Sequence, residues 1–156
     1  MNGRRITQGL LLFVVAAAAY LLLHSGGDKE TAPTQTLAVP ADCDLGQGPC
    51  EIGDGGLRLR VVLETPVPVM RPFRLAVQFS GPGAAAVESV RADFSMPGMN
   101  MGVNRYRLLG QGEGVWQAEV TLPVCISGRS DWRLTLDVDD GQRIRRLLFP
   151  FRAQVE

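Results

Sequence analysis

Hydrophobic and polar residues alternate with a period of two through much of the chain after residue 56. In the segment 57–63 (LRLRVVL) nearly every second residue is apolar, as in a strand with one buried face. Similar segments bounded by Gly- or Pro-rich turns give seven predicted strands, at 57–64, 73–79, 87–96, 104–109, 115–122, 132–138 and 143–152. With no helical period after residue 24, the pattern predicts an all-β fold: an immunoglobulin-like, seven-stranded β-sandwich.

The N-terminal part of the chain has a different pattern. A continuous apolar run, 6–23, follows Arg4 and Arg5. Eighteen helical residues span about 27 Å, close to the thickness of a bilayer core, and preceding positive charge keeps the N-terminus cytoplasmic. We therefore expect an uncleaved transmembrane helix in a bacterial inner membrane, with the C-terminal domain in the periplasm. The alternative is a cleaved signal peptide.

This pattern divides the chain into three parts. Residues 1–24 are the predicted N-terminal membrane anchor. Residues 25–42 are polar and rich in Gly, Thr and Pro, which predicts a flexible linker. Residues 43–156 form the predicted periplasmic β-sandwich domain.

The charge balance and the histidine count exclude several classes of function. Sixteen basic and sixteen acidic residues cancel, so there is no basic surplus for nucleic acid. The one histidine, His24, lies at the end of the apolar run, which leaves the predicted domain without an imidazole base or a histidine-rich zinc site. We therefore expect a protein that is not an enzyme.

Three arginines lie close together in the last predicted strand. Arg143, Arg145 and Arg146 follow the turn 139–141 (DDG). Charged side chains on an edge strand discourage pairing with other chains. The cluster therefore predicts the polar face of an edge strand.

The three cysteines are unevenly spaced. Cys43 and Cys50 bracket a short loop, CDLGQGPC, and an exported chain keeps disulfides, so we expect these two to pair. Cys125 is then left as a thiol. It is either a buried, inert core residue or a functional one, as a soft metal ligand or a reactive thiol.

The segment 95–102 (SMPGMNMG) is rich in methionine. It holds Met96, Met99 and Met101, which are three of the five methionines in the chain. Thioether sulfur is soft and neutral and favours Cu(I) over hard ions, and the Pro-Gly pair predicts a turn that brings the sulfurs together. The predicted Cu(I) ligands are Met99 and Met101, with Met96 and Cys125 as additional candidates. The alternative is that the methionines fill gaps in the core.

The Met/Pro/Gly loop is followed by two further motifs. These are Gly114-Val115-Trp116 at a strand start and the Gly-x-x-x-Trp approach of 128–132 to the next strand. With the anchor, they resemble the YtkA-like and FixH-like group of small membrane-anchored periplasmic proteins. The resemblance implies an accessory of copper supply or cytochrome oxidase assembly, with copper-handling proteins or an oxidase as partners. The alternative is a metal-free, immunoglobulin-like module that binds partners within a membrane complex.

Overall fold

A computed structural model describes residues 32–154. In these residues the protein is an all-β structure of two five-stranded sheets, which confirms the predicted β-sandwich. The strands are β1 (Thr34–Thr36), β2 (Cys50–Asp54), β3 (Leu57–Leu63), β4 (Pro72–Ser80), β5 (Ser89–Ser95), β6 (Arg105–Arg107), β7 (Leu109–Gly112), β8 (Val115–Thr121), β9 (Asp131–Asp139) and β10 (Ile144–Arg152).

The predicted number of seven strands is wrong. Seven of the strands correspond to predicted segments, and β1, β2 and β7 are additional. All the residues of β1 and β7 are exposed, so neither strand has the alternation of apolar and polar residues that identifies the others. The strand β2 has only two buried residues, Cys50 and Ile52, beside a loop rich in glycine.

Each sheet contains strands from distant parts of the chain. The first sheet has the order β1-β10-β9-β5-β6, and the second has the order β2-β3-β4-β8-β7. The pairing of β1 with β10 is parallel, and the other strand pairs are antiparallel. β1 lies within the segment 25–42 that the sequence predicts as a linker, and the compact unit includes residues from Ala32 onward.

The apolar faces of the two sheets form the core. Fully buried side chains alternate along β3, β4, β5 and β9 with exposed or half-buried ones. At one end of the sandwich, Phe94 makes edge-to-face contacts with Phe73, Tyr106 and Phe151, with ring centroids 5.9–6.3 Å apart. Because Phe73 belongs to the second sheet, this cluster joins the two sheets directly.

The last strand is not an edge strand, because β1 pairs with one side of β10 and β9 with the other. Arg145 is buried, and its guanidinium donates to Asp54 of the opposite sheet at 2.8 Å and to Asp140 at 2.5 Å. Arg146 makes a two-pronged pair with Asp137. The arginines therefore stabilise packing between elements rather than forming only a solvated edge.

The predicted membrane anchor, 1–24, lies outside the described residues. Within 32–154 no helix is long and apolar enough to cross a membrane. One turn of 3-10 helix, Ala84–Ala86, follows the Gly81-Pro82-Gly83 turn.

The predicted disulfide is present between Cys43 and Cys50, whose Cα atoms are 5.6 Å apart. It fixes the loop 43–50, in which Leu45 is fully buried, against the start of β2. Cys125 is the free cysteine. The disulfide therefore ties this irregular segment, in which Gln47 and Gly48 donate to the Asp44 carbonyl, to the start of β2.

Removal of this disulfide is expected to destabilise the sandwich. The double substitution Cys43→Ala/Cys50→Ala frees a short loop in the unfolded chain, and we expect it to lower the free energy of unfolding by about 2–3 kcal/mol. Urea denaturation followed by the fluorescence of buried Trp132 measures this. An unchanged midpoint would show that the disulfide adds no stability.

Candidate functional site

Three connections meet at one end of the sandwich. The residue pairs Ser95–Arg133, Pro72–Thr121 and Arg152–Asp131 are neighbours across the strands, so β4 and β9 begin where β5, β8 and β10 end. The connections at this end are 64–71, 96–104 and 122–130. We call it the loop end, and it carries both Cys125 and the methionines.

The methionine segment begins with a tight turn. The N–H of Met99 donates to the carbonyl of Met96 at 3.1 Å, and Gly98 has a φ of 74°. Pro97 followed by a positive-φ glycine is the sequence that a type II turn requires. The turn predicted at Pro97-Gly98 is therefore present, and it directs the chain back across the end of the core.

Two asparagines hold the remainder of this loop. The side chain of Asn100 accepts from the N–H of Gly102 at 3.0 Å, and the side chain of Asn104 donates to the carbonyl of Met101 at 2.9 Å. Met101 is half-buried and packs against the core. These side-chain hydrogen bonds fix the backbone where strand pairing is absent.

A second turn presents the free cysteine. The N–H of Gly128 donates to the carbonyl of Cys125 at 3.0 Å, and Gly128 has a φ of 72°. Cys125 is 6% exposed, whereas Ile126 next to it is fully exposed. The turn therefore places the thiol just beneath the surface, facing the methionine loop.

The two turns bring sulfur atoms into contact. Cys125 Sγ lies 3.3 Å from Met99 Sδ and 3.0 Å from Ser127 Oγ, and Ser127 Oγ lies 3.7 Å from Met99 Sδ. As a thiol, Cys125 donates to Met99 in this arrangement. Two soft sulfur atoms and one hydroxyl therefore form a compact cluster at the loop end.

A tyrosine joins the bases of the two loops. The Tyr106 hydroxyl donates to the Thr121 carbonyl at 2.7 Å, and the Thr121 N–H donates to the same hydroxyl at 3.2 Å. Tyr106 lies on β6, directly after the methionine loop, and Thr121 ends β8, directly before the cysteine loop. These two hydrogen bonds link the two sheets at the bases of the loops that carry Met99 and Cys125.

The surroundings of Cys125 favour its ionised form. A hydrogen bond from the Ser127 hydroxyl lowers the pKa of the thiol below its ordinary value, with a smaller contribution from the positive charge of Arg129. Burial opposes this shift but does not cancel it. Arg129 is itself held by Asp131 in a two-pronged ion pair, which fixes its position beside the loop.

The predicted site residues are only partly brought together. Met99 and Cys125 are in contact, although they are 26 residues apart in sequence. Met96 is buried in the core, in agreement with the face it shares with Phe94, and Met101 packs against the same core. Within residues 32–154, no three His, Cys, Asp or Glu side chains cluster as metal ligands.

Sequence reasoning missed Ser127 and Tyr106. Ser127 lies two residues after the cysteine and directly before a glycine, which is a turn signal that places its hydroxyl near the thiol. No local pattern identifies Tyr106, because its role depends on the pairing between distant strands.

Most residues of the loop end are uncharged, and the exceptions, Glu64, Arg71 and Arg129, lie near the ends of its connections. The segments 65–70, 96–104 and 121–128 contain no acidic or basic residue. Of the five exposed large hydrophobic residues in the described chain, all but Leu109 lie in these loops: Met70, Val103, Val124 and Ile126. These four residues, which we call the apolar rim, lie at the same end of the sandwich as the sulfur cluster.

Comparisons with known proteins do not place the chain in a family. No family model matches it, and no curated protein matches its sequence. One similar solved structure is the sulfur carrier protein SoxY from Chlorobium limicola f thiosulfatophilum, with a TM-score of 0.41 and 10% identity over 88% of this chain and 99% of that chain. At this level of similarity the match carries no conclusion about function.

The resemblance to the YtkA-like and FixH-like group is wrong. No family model and no curated protein supports it. The motifs around Gly114 and Gly128 are explained by the fold. Gly114 has a positive φ and a β-carbon there would lie 2.5 Å from the Phe79 carbonyl oxygen, while Gly128 closes the cysteine turn. Backbone geometry alone therefore accounts for both glycines.

The hydroxyl of Ser127 is expected to control the ionisation of Cys125. Ser127→Ala removes the hydrogen bond to the thiolate, so the pKa of Cys125 should rise. The measurement is the ultraviolet absorbance of the thiolate as a function of pH, with the Cys43–Cys50 disulfide intact. Ser130→Ala, in the same loop, is the control. A midpoint that stays in place or falls in Ser127→Ala would contradict this role.

Proposed function

We propose that the protein binds one Cu(I) ion at the loop end, with Cys125 and Met99 as the central ligands. The observation that carries the proposal is the 3.3 Å contact between Cys125 Sγ and Met99 Sδ. Thiolate and thioether are both soft ligands, and soft ligands select Cu(I) over hard cations. The function is binding and handling of copper rather than catalysis.

The distance between the sulfurs is compatible with a metal after a small opening. Metal–sulfur bonds of about 2.3 Å separate two ligating sulfurs by roughly 4.0 Å in a trigonal site and 4.6 Å in a linear one. The sulfurs must therefore move apart by about an ångström from 3.3 Å. Met99 can supply this movement, because an unbranched thioether has three rotatable bonds and the residue is only half-buried.

Further ligands are available within the same loop. Met101 is half-buried beside the core, two residues beyond Met99, and is the third sulfur that we propose. Met96 is 2% exposed and belongs to the core, so it supports the loop and becomes a ligand only if the strand end rearranges. The proposed site is therefore Cys125, Met99 and Met101, with Met96 beneath it.

The protein's position in the cell is part of the proposal. We infer that 1–24 anchors an immunoglobulin-like sandwich on the periplasmic side of a bacterial inner membrane, which would let it act as a copper-handling accessory. The described chain enters the fold at β1, beside Ile144, whereas the loop end lies beyond Arg152. Within the sandwich, the nine residues of β10 separate these points by about 28 Å.

A metal-free partner-binding module is the second candidate function. The exposed rim of Met70, Val103, Val124 and Ile126 favours it, since exposed apolar patches on small proteins mark interaction sites. In this case Met99 and Cys125 would only fill space at the end of the core. The two candidates differ in whether the sulfur atoms have a function of their own.

Competition with a Cu(I) chelator under reducing conditions distinguishes them. The full chain in detergent is compared with Met99→Leu/Cys125→Ser, and we expect the double variant to bind Cu(I) about 100-fold more weakly or worse, because both central ligands are lost. Leucine retains much of the volume of methionine, so the fold should persist. Met70→Leu is the matched control, since Met70 is exposed at the same end but outside the sulfur cluster.

The copper proposal fails if the wild type competes no better than the double variant. It also fails if Met70→Leu weakens binding as much as the double variant does. In either case the metal-free module becomes the better account of the loop end.

A further inference from the structure

We infer that the sulfur site at the loop end accepts soft cations of single charge and rejects divalent ones, soft or hard. This inference rests on the proposed function and specifies the class of metal ion. The reason lies in the net charge of the surroundings and not in the softness of the ligands. It predicts that Cu(I) and Ag(I) bind and that Cd(II), which is also soft, does not.

The site supplies at most one negative charge. Met99 and Met101 are neutral thioethers, so Cys125 is the one ligand that can become an anion. No acidic residue occurs in 96–104 or 121–128, the two loops that carry these sulfur atoms. The complex of a singly charged cation with the thiolate has no net charge. The complex of a divalent cation with the same thiolate keeps one positive charge.

The nearest charged side chains do not correct this imbalance. Arg129 acts electrostatically on Cys125 and adds a positive charge near the site. Asp131 makes its ion pair with that guanidinium, and the pair is neutral as a whole. A divalent ion would therefore meet either no compensation or weak repulsion from this side.

The apolar rim makes an uncompensated charge costly. Cys125 is 6% exposed, and Val124 and Ile126 flank it in sequence. Transfer of a net charge from water to such a place is unfavourable unless an opposite charge accompanies it. Most divalent sites in proteins provide several anionic or imidazole ligands, and no three His, Cys, Asp or Glu side chains cluster in this way within residues 32–154.

A single substitution tests the role of charge. The Ser127 side chain is exposed and lies 3.0 Å from Cys125 Sγ, so Ser127→Asp adds a second negative charge at the site. Aspartate suits a turn position, and Ser127→Asn gives nearly the same shape without charge, which makes it the matched control. The difference between these two variants isolates electrostatics from packing.

The experiment is equilibrium dialysis of the full chain in detergent against Ag(I) or Cd(II), with bound metal measured by mass spectrometry. Wild type and Ser127→Asn should load one Ag(I), and we expect less than about a tenth of either to load Cd(II). Ser127→Asp should gain Cd(II) affinity about 10- to 100-fold relative to Ser127→Asn, with a smaller gain for Ag(I). Cys125→Ser measures binding elsewhere in the chain.

The outcomes separate this inference from the copper proposal. If the wild type loads Cd(II) through Cys125 as readily as Ag(I), the charge argument is overturned and Cu(I) binding stands. Equal Cd(II) affinities of Ser127→Asp and Ser127→Asn would overturn it as well. If the wild type loads neither Ag(I) nor Cu(I), the proposed function fails, and the inference fails with it.

Discussion

The burial of two apolar sheet faces against each other is the constraint on which the rest of this structure depends. Each face combines neighbouring strands with a distant one: β8 pairs with the β3–β4 hairpin in one sheet, and β5 pairs with the β9–β10 hairpin in the other. Neither sheet can hide its apolar face alone, so the two must pack together. When the two sheets pack, the loops that follow their strands at one end of the sandwich are brought close together.

The sulfur cluster is a consequence of that packing. Met99 follows β5 of one sheet, and Cys125 follows β8 of the other, so their contact at 3.3 Å exists only in the folded sandwich. The aromatic contacts of Phe94 lie beneath it, and the Tyr106 hydroxyl fixes the two loop bases. These contacts fix the bases of both loops, while the unbranched and half-buried side chain of Met99 can still adjust. Because Cys43 and Cys50 bond to each other, Cys125 keeps its thiol.

Local pattern predicted the sandwich because alternation, turn residues and strand length are properties of short segments. It also predicted the Pro97-Gly98 turn and the pairing of Cys43 with Cys50, which depend on a few neighbouring residues. The strands β1 and β7 were not predicted, because all their residues are exposed and apolar and polar residues do not alternate along them.

Contacts between distant segments could not be predicted. The sequence named both Met99 and Cys125 as candidate ligands, but no local pattern showed that their two loops meet, as they do in the structure. From the sequence, Arg145 is expected to be a solvated charge. In the structure β1 covers one side of β10, and Asp54 of the opposite sheet accepts a hydrogen bond from Arg145. In both cases the contacting residue belongs to the other sheet or to a loop that follows it. A pattern within one short segment therefore cannot predict the contact.

The central claim, that soft sulfur atoms from two loops hold one metal ion, is tested most directly by X-ray absorption spectroscopy of the Cu(I)-loaded chain. The account predicts a coordination shell made of sulfur alone, with bond lengths of about 2.3 Å, and a shell that loses sulfur in Cys125→Ser and in Met99→Leu. A shell dominated by nitrogen or oxygen, or one that is unchanged in both variants, would contradict it.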